Sequence, residues 1–409
     1  MRFFSTLVCC ALLLSCQELI KAPVPDLAWA EFDSPEAKPL TAAERKTLEG
    51  IYTIGINDDD FGKDAVLKWS YVANGQDTTH YLSFFCREDV RYFICRAKKR
   101  GDSLLLNGYW RNAENTKTGK IHLKAAFIRT QPPAFNGTYG RGDDDPQKGL
   151  TFRYVRPLNT QKPYLVVAHR GGGRNNDLLP ASENSTAMIL LAAQLGANGI
   201  EIDVQLTKDS VPVLFHDANI NDRLTTKTGI HGSVDEYSWE QLQKEVNLKR
   251  GGKIPSLQQA LDTVLYKTPL EFVWLDCKYP TGLGEVARLA KVCIEKAAVI
   301  GRRLEVVIGT PDEDVMKRFL QLPGYKNIPS LCELDTAKAA QMNAAFWAPS
   351  YIKGHQNEEV QATHNRGKKA LVWTVDVPDK IREFIYETDF NGLVTNRPTM
   401  AAYYYYARQ

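Results

Sequence analysis

The sequence predicts an α/β protein, a TIM (β/α)8 barrel preceded by a small all-β domain that is either a barrel or a sandwich. Three observations lead there. The first half has an all-β texture of short alternating runs. The second half alternates apolar strands with helical stretches. A linker-like segment, Arg156-Pro157-Leu158-Asn159-Thr160-Gln161-Lys162-Pro163, separates the two. A chain of 409 residues is too long for one core, so two domains is the natural division. Composition is that of a folded globular chain, 44% hydrophobic and 24% charged. The formal net charge of +3 comes with no basic stripe interleaved with aromatics, so no nucleic-acid partner is expected.

At the N-terminus, Arg2 precedes an apolar run from Phe3 to Leu14. The run is too short to span a bilayer but suits the core of a signal peptide. It ends in Leu13-Leu14-Ser15-Cys16, which resembles a bacterial lipobox. That resemblance implies removal of residues 1–15 and lipidation of Cys16, and so a membrane partner through several acyl chains. The expected location is the bacterial cell envelope, lipid-anchored and facing the periplasm or the surface. Cys9 and Cys10 also lie in the run, and an ordinary secretory signal is the alternative. Residues 16–44, with Pro23, Pro25, Pro35 and Pro39, read as a tether. Cys86, Cys95, Cys277, Cys293 and Cys332 remain, an odd set that does not read as a disulfide framework. A two-residue turn at Glu88-Asp89 would put Cys86 opposite Arg91, so Cys86 and Cys95 would meet only in another register.

Residues 45–157 form the all-β domain. Runs such as Val66-Leu67-Lys68-Trp69-Ser70-Tyr71-Val72 and Tyr81-Leu82-Ser83-Phe84-Phe85 are separated by turn clusters, Asn74-Gly75 among them. A faint repeat links Leu48-Glu49-Gly50-Ile51-Tyr52 and its following hairpin to Phe135-Asn136-Gly137-Thr138-Tyr139 and its own, each with an acidic turn. Related first and last hairpins lying side by side would close a small barrel or sandwich. The texture is loosely similar to lipocalin-like lipoprotein domains, with no motif that reads a role.

Residues 163–409 form the α/β part. Apolar strands start at Tyr164, Gly199, Val211, Phe272, Leu304 and Ala370, with helical stretches from Asn184 to Leu195, Trp239 to Val246, Leu257 to Leu265 and Gly284 to Val299. Asn184 or Ser185 is the expected N-cap of the first. Strand candidates exceed the eight slots of a barrel by one, so one is a hairpin arm or a loop.

Within this part, VVAHRGGG, SENST and GIEIDVQLTKDSVPVLFHD carry the chemistry. Glu201 and Asp203 are two apart, so in a strand both leave one face while Ile200, Ile202 and Val204 fill the other. Parallel strands are usually apolar on both faces, and two acids there are costly without a partner. A hard divalent cation is the simplest partner. His169 and His216 close two flanking apolar runs and can serve as general acid and base near neutral pH.

In order and spacing, the chain from about Pro163 to Pro398 resembles the glycerophosphodiester phosphodiesterases. The resemblance rests on His169-Arg170-Gly171, Ser182-Glu183-Asn184-Ser185, Glu201-Ile202-Asp203 running on to His216-Asp217, Asp222-Arg223-Leu224-Thr225, Ile254-Pro255-Ser256-Leu257, Asp276-Cys277-Lys278, Val372-Trp373-Thr374-Val375 and Gly392-Leu393-Val394-Thr395-Asn396-Arg397-Pro398. It implies a TIM barrel with a small insertion over about Ala218 to Lys253. It further implies one divalent cation, Ca2+ or Mg2+, held by Glu201, Asp203 and Asp276, and an acid–base pair of His169 and His216. Arg170 and Lys278 would hold the non-bridging oxygens of a small glycerophosphodiester. Glu183 would orient His169 or a substrate hydroxyl, and Trp373 would wall the glycerol carbons. One histidine is expected to deprotonate a glycerol hydroxyl that attacks phosphorus, the other to protonate the departing alcohol, and water to open the cyclic phosphate. Asp276 stands where a Glu is usual, Asn396 where an Asp is common, and Ser182 and Ser185 replace the usual Pro and Thr. Two other readings stay open: a phospholipase D-like or phosphatidylinositol-type lyase on intact lipids, and a non-enzymatic binding lipoprotein. Oligomeric state is not readable.

Overall fold

The structure is a computed structural model that describes residues 22–56, 60–87, 91–127, 132–174, 178–226 and 228–408. The signal segment and Cys16 lie outside the described residues. In the N-terminal domain eight strands follow one another: Gly50–Gly55, Asp64–Asn74, Asp77–Cys86, Arg91–Arg100, Ser103–Asn112, Thr118–Ala126, Phe135–Tyr139 and Lys148–Arg156. Each is antiparallel to its neighbour in sequence, and the first also pairs with the last, Tyr52 opposite Tyr154. This closes an up-and-down barrel. The two hairpins that repeat in the sequence therefore meet at the seam.

Inward positions of that barrel are filled with rings. Tyr52, Phe84, Phe93, Phe135 and Phe152 are fully buried, and Phe84 stacks on Phe152 with centroids 4.2 Å apart. Phe85 lies opposite Tyr92 and Cys95 opposite Leu82, and the turn expected at Glu88-Asp89 lies outside the described residues. The five described cysteines are buried, and none of them forms a disulfide.

The tether reading is corrected from residue 22 onward. Phe32, in the short helix Ala30–Asp33, is buried with Ala37 against Leu105, and Lys38–Pro39 pairs with Lys98 and Lys99. Thr41 and Glu44 then form a capping box that starts the helix Ala42–Leu48. Proline content concealed these anchors, because prolines space Phe32 and Leu40 without preventing their burial.

The C-terminal part is a closed parallel barrel. Its strands are β1 (Leu165–Ala168), β2 (Gly199–Leu206), β3 (Phe272–Cys277), β4 (Glu305–Thr310), β5 (Ser330–Cys332), β6 (Phe346–Trp347), β7 (Lys369–Val372) and β8 (Gly392–Thr395). They pair in sequence order, and β8 pairs with β1. The surplus strand candidate is Pro212–Leu214, an antiparallel arm on β2. The segment after it has its own small core of Phe215, Ile220, Leu224, Leu242, Val246 and Leu248. Ser185, not Asn184, caps the first helix, Thr186–Ala192, by accepting from Met188 N at 3.1 Å.

Register fixes what faces the axis. Val167, Phe272, Trp274, Val307, Leu331, Phe346, Leu371 and Val394 form one apolar plug. Side chains alternate along a strand, so the next inward position on each strand is two residues on. Those positions are His169 after Val167, Asp276 after Trp274, Glu333 after Leu331, Trp373 after Leu371 and Asn396 after Val394. On β2 they are Glu201 and Asp203. Polar chemistry thus sits on an apolar floor at the C-terminal ends of the strands.

The two domains share one continuous core. Ile51, Val66, Phe85, Tyr92, Ile94 and Tyr109 on the outside of the β-barrel pack with Leu191, Leu195, Ala402 and Tyr403. Gly196 permits the approach: its φ is +89°, and a Cβ there would lie 2.8 Å from the Phe85 ring.

Candidate active site

Parallel pairing of β2 with β3 places Asp276 directly beside Asp203, with Glu201 one inward position below. Ligand oxygens of the three acids lie within 4.8 Å of one another. Lys278 leans back over them, 2.7 Å from Asp203 Oδ1 and bonded to Asp276 Oδ2. Burial works against the ammonium, but the carboxylates of Asp203, Asp276 and Glu201 outweigh it and hold Lys278 above its usual range. Burial also opposes ionisation of Asp203, yet Lys278 wins and lowers its pKa. Glu201 goes the other way: burial, then Asp203 and Asp276, push its carboxyl well above the usual range. Glu201 Oε1 and Asp276 Oδ1 are buried without a hydrogen-bond partner. Two orphaned acidic oxygens beside a third carboxylate are a donor set that fits a hard cation.

His169 follows β1 in a tight turn where Arg170 has φ +55°. Its Nδ1 lies 2.9 Å from Asn396 Oδ1, and its Nε2 lies 3.7 Å from Glu201. The Asn396 amide orientation follows from its own partners, because Nδ2 donates to Asp376 Oδ2 at 2.6 Å and the backbone N donates to Oδ1 at 2.8 Å. With Asn396 presenting its oxygen, Nδ1 of His169 carries the proton and Nε2 is the free base. Burial, then the Arg170 charge, lower the His169 pKa to about 4.

His216 has the opposite support. Its Nδ1 donates to Asp217 Oδ1 at 2.7 Å, while its Nε2 accepts from Arg170 Nη2 at 2.8 Å. Asp217 also accepts from Arg223 and Asn221, which keep it ionised against the penalty of burial. Arg170 donates to Glu183 at 2.8 Å, and Arg223 binds both oxygens of the same carboxylate at 3.0 and 3.1 Å. Glu183 thus holds the arginine that touches His216. Trp373 donates its indole N–H to Ala348 O at 2.8 Å and presents a half-buried ring beside the plug.

His169, Arg170, Glu183, Glu201, Asp203, His216, Asp276 and Lys278 lie together through these contacts, and Trp373 lies against the apolar plug beside Ala348. His355 and His364 lie apart, paired with Glu383 and Asn391. Several participants were missed. Asn184, expected as a cap, has φ +54° and instead brackets Asp203, donating to Oδ2 at 2.6 Å and accepting from its backbone N at 3.0 Å. Asp376 stands behind Asn396, so the acid missing at 396 has a counterpart twenty residues earlier. Glu333 faces inward with a buried, unpartnered Oε1, and burial followed by Asp276 raises its carboxyl well above the usual range. An acid at the end of the apolar run Ser330-Leu331-Cys332 was the available signal.

The fold and this cluster define a barrel hydrolase whose polar groups surround the strand ends. Residues 169–400 match the model of the glycerophosphoryl diester phosphodiesterase family, and the chain belongs to that family. A glycerophosphodiester phosphodiesterase of Caldanaerobacter subterraneus is 27% identical over 244 residues, covering 57% of this chain and 94% of that protein. Human glycerophosphodiester phosphodiesterase 1 is 40% identical over 92 residues, 22% of this chain and 25% of that protein. The crystal structure of a glycerophosphodiester phosphodiesterase from Parabacteroides distasonis, 22% identical, covers 60% of this chain and all of its own, with a TM-score of 0.48. The protein is accordingly a phosphoric diester hydrolase that acts on glycerophosphodiesters.

Proposed function

We propose that the chain hydrolyses glycerophosphodiesters to glycerol 3-phosphate and an alcohol. His169 and His216 are its acid–base pair, and one divalent cation, Ca2+ or Mg2+, is held by Glu201, Asp203 and Asp276. The observation that carries this reading is the opposed support of the two imidazoles. Asn396 turns a bare Nε2 of His169 toward the carboxylates, whereas Asp217 accepts from Nδ1 of His216 and Arg170 donates to its Nε2. His169 is then the base that takes the proton of the attacking hydroxyl, and His216 the acid that protonates the leaving alkoxide. When bound, the cation supplies charge neutralisation on the phosphoryl group. A phosphoryl oxygen arriving at Arg170 would draw the Nη2 donor from His216 and free that nitrogen to carry its proton. Lys278 adds a point charge on the metal side, and Trp373 offers an apolar wall to the glycerol carbons. The acid–base cycle reverses when water opens a cyclic phosphate.

The decisive experiment is a coupled assay for glycerol 3-phosphate with glycerophosphocholine, with EDTA and then Ca2+ or Mg2+ added back. Turnover is expected to vanish with EDTA, return with one cation, and fall at least about 10³-fold in both His169→Ala and His216→Ala. Undiminished turnover in either variant sinks the acid–base assignment.

From the sequence alone, we also propose that Cys16 is lipidated after removal of residues 1–15. This would hold the enzyme in a bacterial envelope beside lipid-derived diesters. Labelling with a palmitate analogue, abolished by Cys16→Ser, tests it.

A further inference from the structure

Besides the shared core, two polar ties join the β-barrel to segments that adjoin His169 and its partner Asn396. Arg111, on the strand Ser103–Asn112, is fully buried. Its guanidinium donates to Pro23 O at 2.8 Å and to Leu178 O at 2.7 Å. Leu178 belongs to the loop between His169-Arg170-Gly171 and Ser182-Glu183-Asn184, and its φ of +60° is one that L side chains rarely adopt. A loop in that conformation needs an external hold. Beyond the strand, Glu114 pairs with Arg397 at 2.6 Å, and Arg397 directly follows Asn396. Tyr92, Ala113 and Glu114 face Gly172, Leu179, Asn396 and Arg397 across a cavity of about 220 Å³. The domain therefore ties the loop after β1 at Leu178, nine residues beyond His169, and the segment after β8 at Arg397, one residue beyond Asn396.

Stability alone is a poor reason for this arrangement. A buried guanidinium carries a desolvation cost that apolar packing would avoid. The Glu114–Arg397 pair is half exposed, with side chains 51% and 29% accessible, and such pairs contribute little to global stability. What both ties do is fix the positions of two backbones.

We infer that the β-barrel is a positioning element for the catalytic base: Arg111 and Glu114 hold the loops whose ends place Asn396 against His169. Arg111 sets the loop of Glu183 and Asn184, and Glu114 sets the backbone that carries the Asn396 amide. Neither touches substrate. The inference rests on His169 being the base proposed above, and its test separates the two ideas.

In the full chain, Arg111→Lys, Arg111→Met and Glu114→Gln would be compared with wild type by thermal unfolding, by kcat and KM for glycerophosphocholine, and by ¹⁵N shifts of the His169 imidazole. Lys cannot span two carbonyls as the planar fork does. The expected result is kcat lowered about tenfold in Arg111→Lys and about threefold in Glu114→Gln, with KM within about twofold. In both, the Nδ1–H tautomer signal of His169 should become mixed. Glu114→Asp should recover part of the loss. Should Arg111→Met not fold, Glu114→Gln decides. Folded variants with unchanged kcat and an unchanged His169 tautomer overturn the inference. A wild-type protein that leaves the diester intact refutes the proposed reaction instead, and the imidazole shifts still report whether the β-barrel sets the ring.

Discussion

Two closed eight-stranded barrels stand side by side in this chain, and they end their interiors in opposite ways. In the N-terminal one, the interior is apolar along its length, with the rings of Tyr52, Phe84, Phe93, Phe135 and Phe152 among leucines and Ile121. In the C-terminal one, an apolar plug from Val167 to Val394 gives way at the strand ends to histidines and acids. The first obeys the burial rule throughout. The second breaks it in one layer, and the break is where the chemistry lies, because only a bound ligand or cation makes such a layer favourable. Paired substitutions test this contrast most strongly. Glu201→Gln should lower kcat at least about 10³-fold while leaving the metal-free melting temperature no lower, since the buried carboxyl it neutralises is the one whose ionisation the fold disfavours. Phe93→Ala should cost about 3–5 kcal/mol in urea unfolding while the folded fraction keeps kcat within about twofold. If Phe93→Ala abolishes turnover in folded protein, the two interiors are not separable as described.

The second prediction uses pH. A histidine that burial has lowered to about 4 remains a free base down to that pH. The acid limb of kcat/KM should therefore fall near pH 4 rather than near the ordinary value of about 6.5. Asn396→Asp puts a negative charge on Nδ1 and should move the limb upward by about one unit. The effect on stability has a definite sign. Because the folded pKa is depressed, the unfolded chain binds the proton first, so stability is lost as pH falls from about 6.5 toward 4. Glu201, raised well above its ordinary value, acts oppositely and withdraws stability as pH rises past the range of an ordinary carboxylate. A limb that stays at 6.5 in wild type would place the base elsewhere.

The same contrast explains what could be read beforehand. Period-two spacing made Glu201 and Asp203 legible within one strand, and the sharp change of texture near residue 160 separated the domains. The meeting of the first and last hairpins was legible because they resemble each other, but that resemblance did not separate a barrel from a sandwich. The supports of the site were not. Asp376 acts on His169 through Asn396, Asn184 acts on Asp203 from another loop, and Glu333 arrives from β5; each depends on register between strands distant in sequence. The packed segment after residue 22 escaped for a different reason. Its few apolar anchors, Phe32, Ala37 and Leu40, are spaced by prolines and charges, and composition hides such points.

A single methylene gives the finest comparison. Ile121→Val inside the β-barrel removes one from a close-packed interior and should cost about 1 kcal/mol of stability with no change in metal binding. Asp276→Glu adds one in the polar layer. The Asp276 carboxylate is divided at present, one oxygen bonded to Lys278 and the other buried without a partner. A longer side chain carries that free oxygen toward Glu201 but weakens the contact with Lys278, and the two effects partly offset. Calorimetry with Ca2+ in the absence of substrate should therefore show affinity rising only about two- to fivefold, with stability shifting by less than in Ile121→Val. A loss of affinity would mean that the Lys278 contact, rather than carboxylate reach, sets how this site holds its cation.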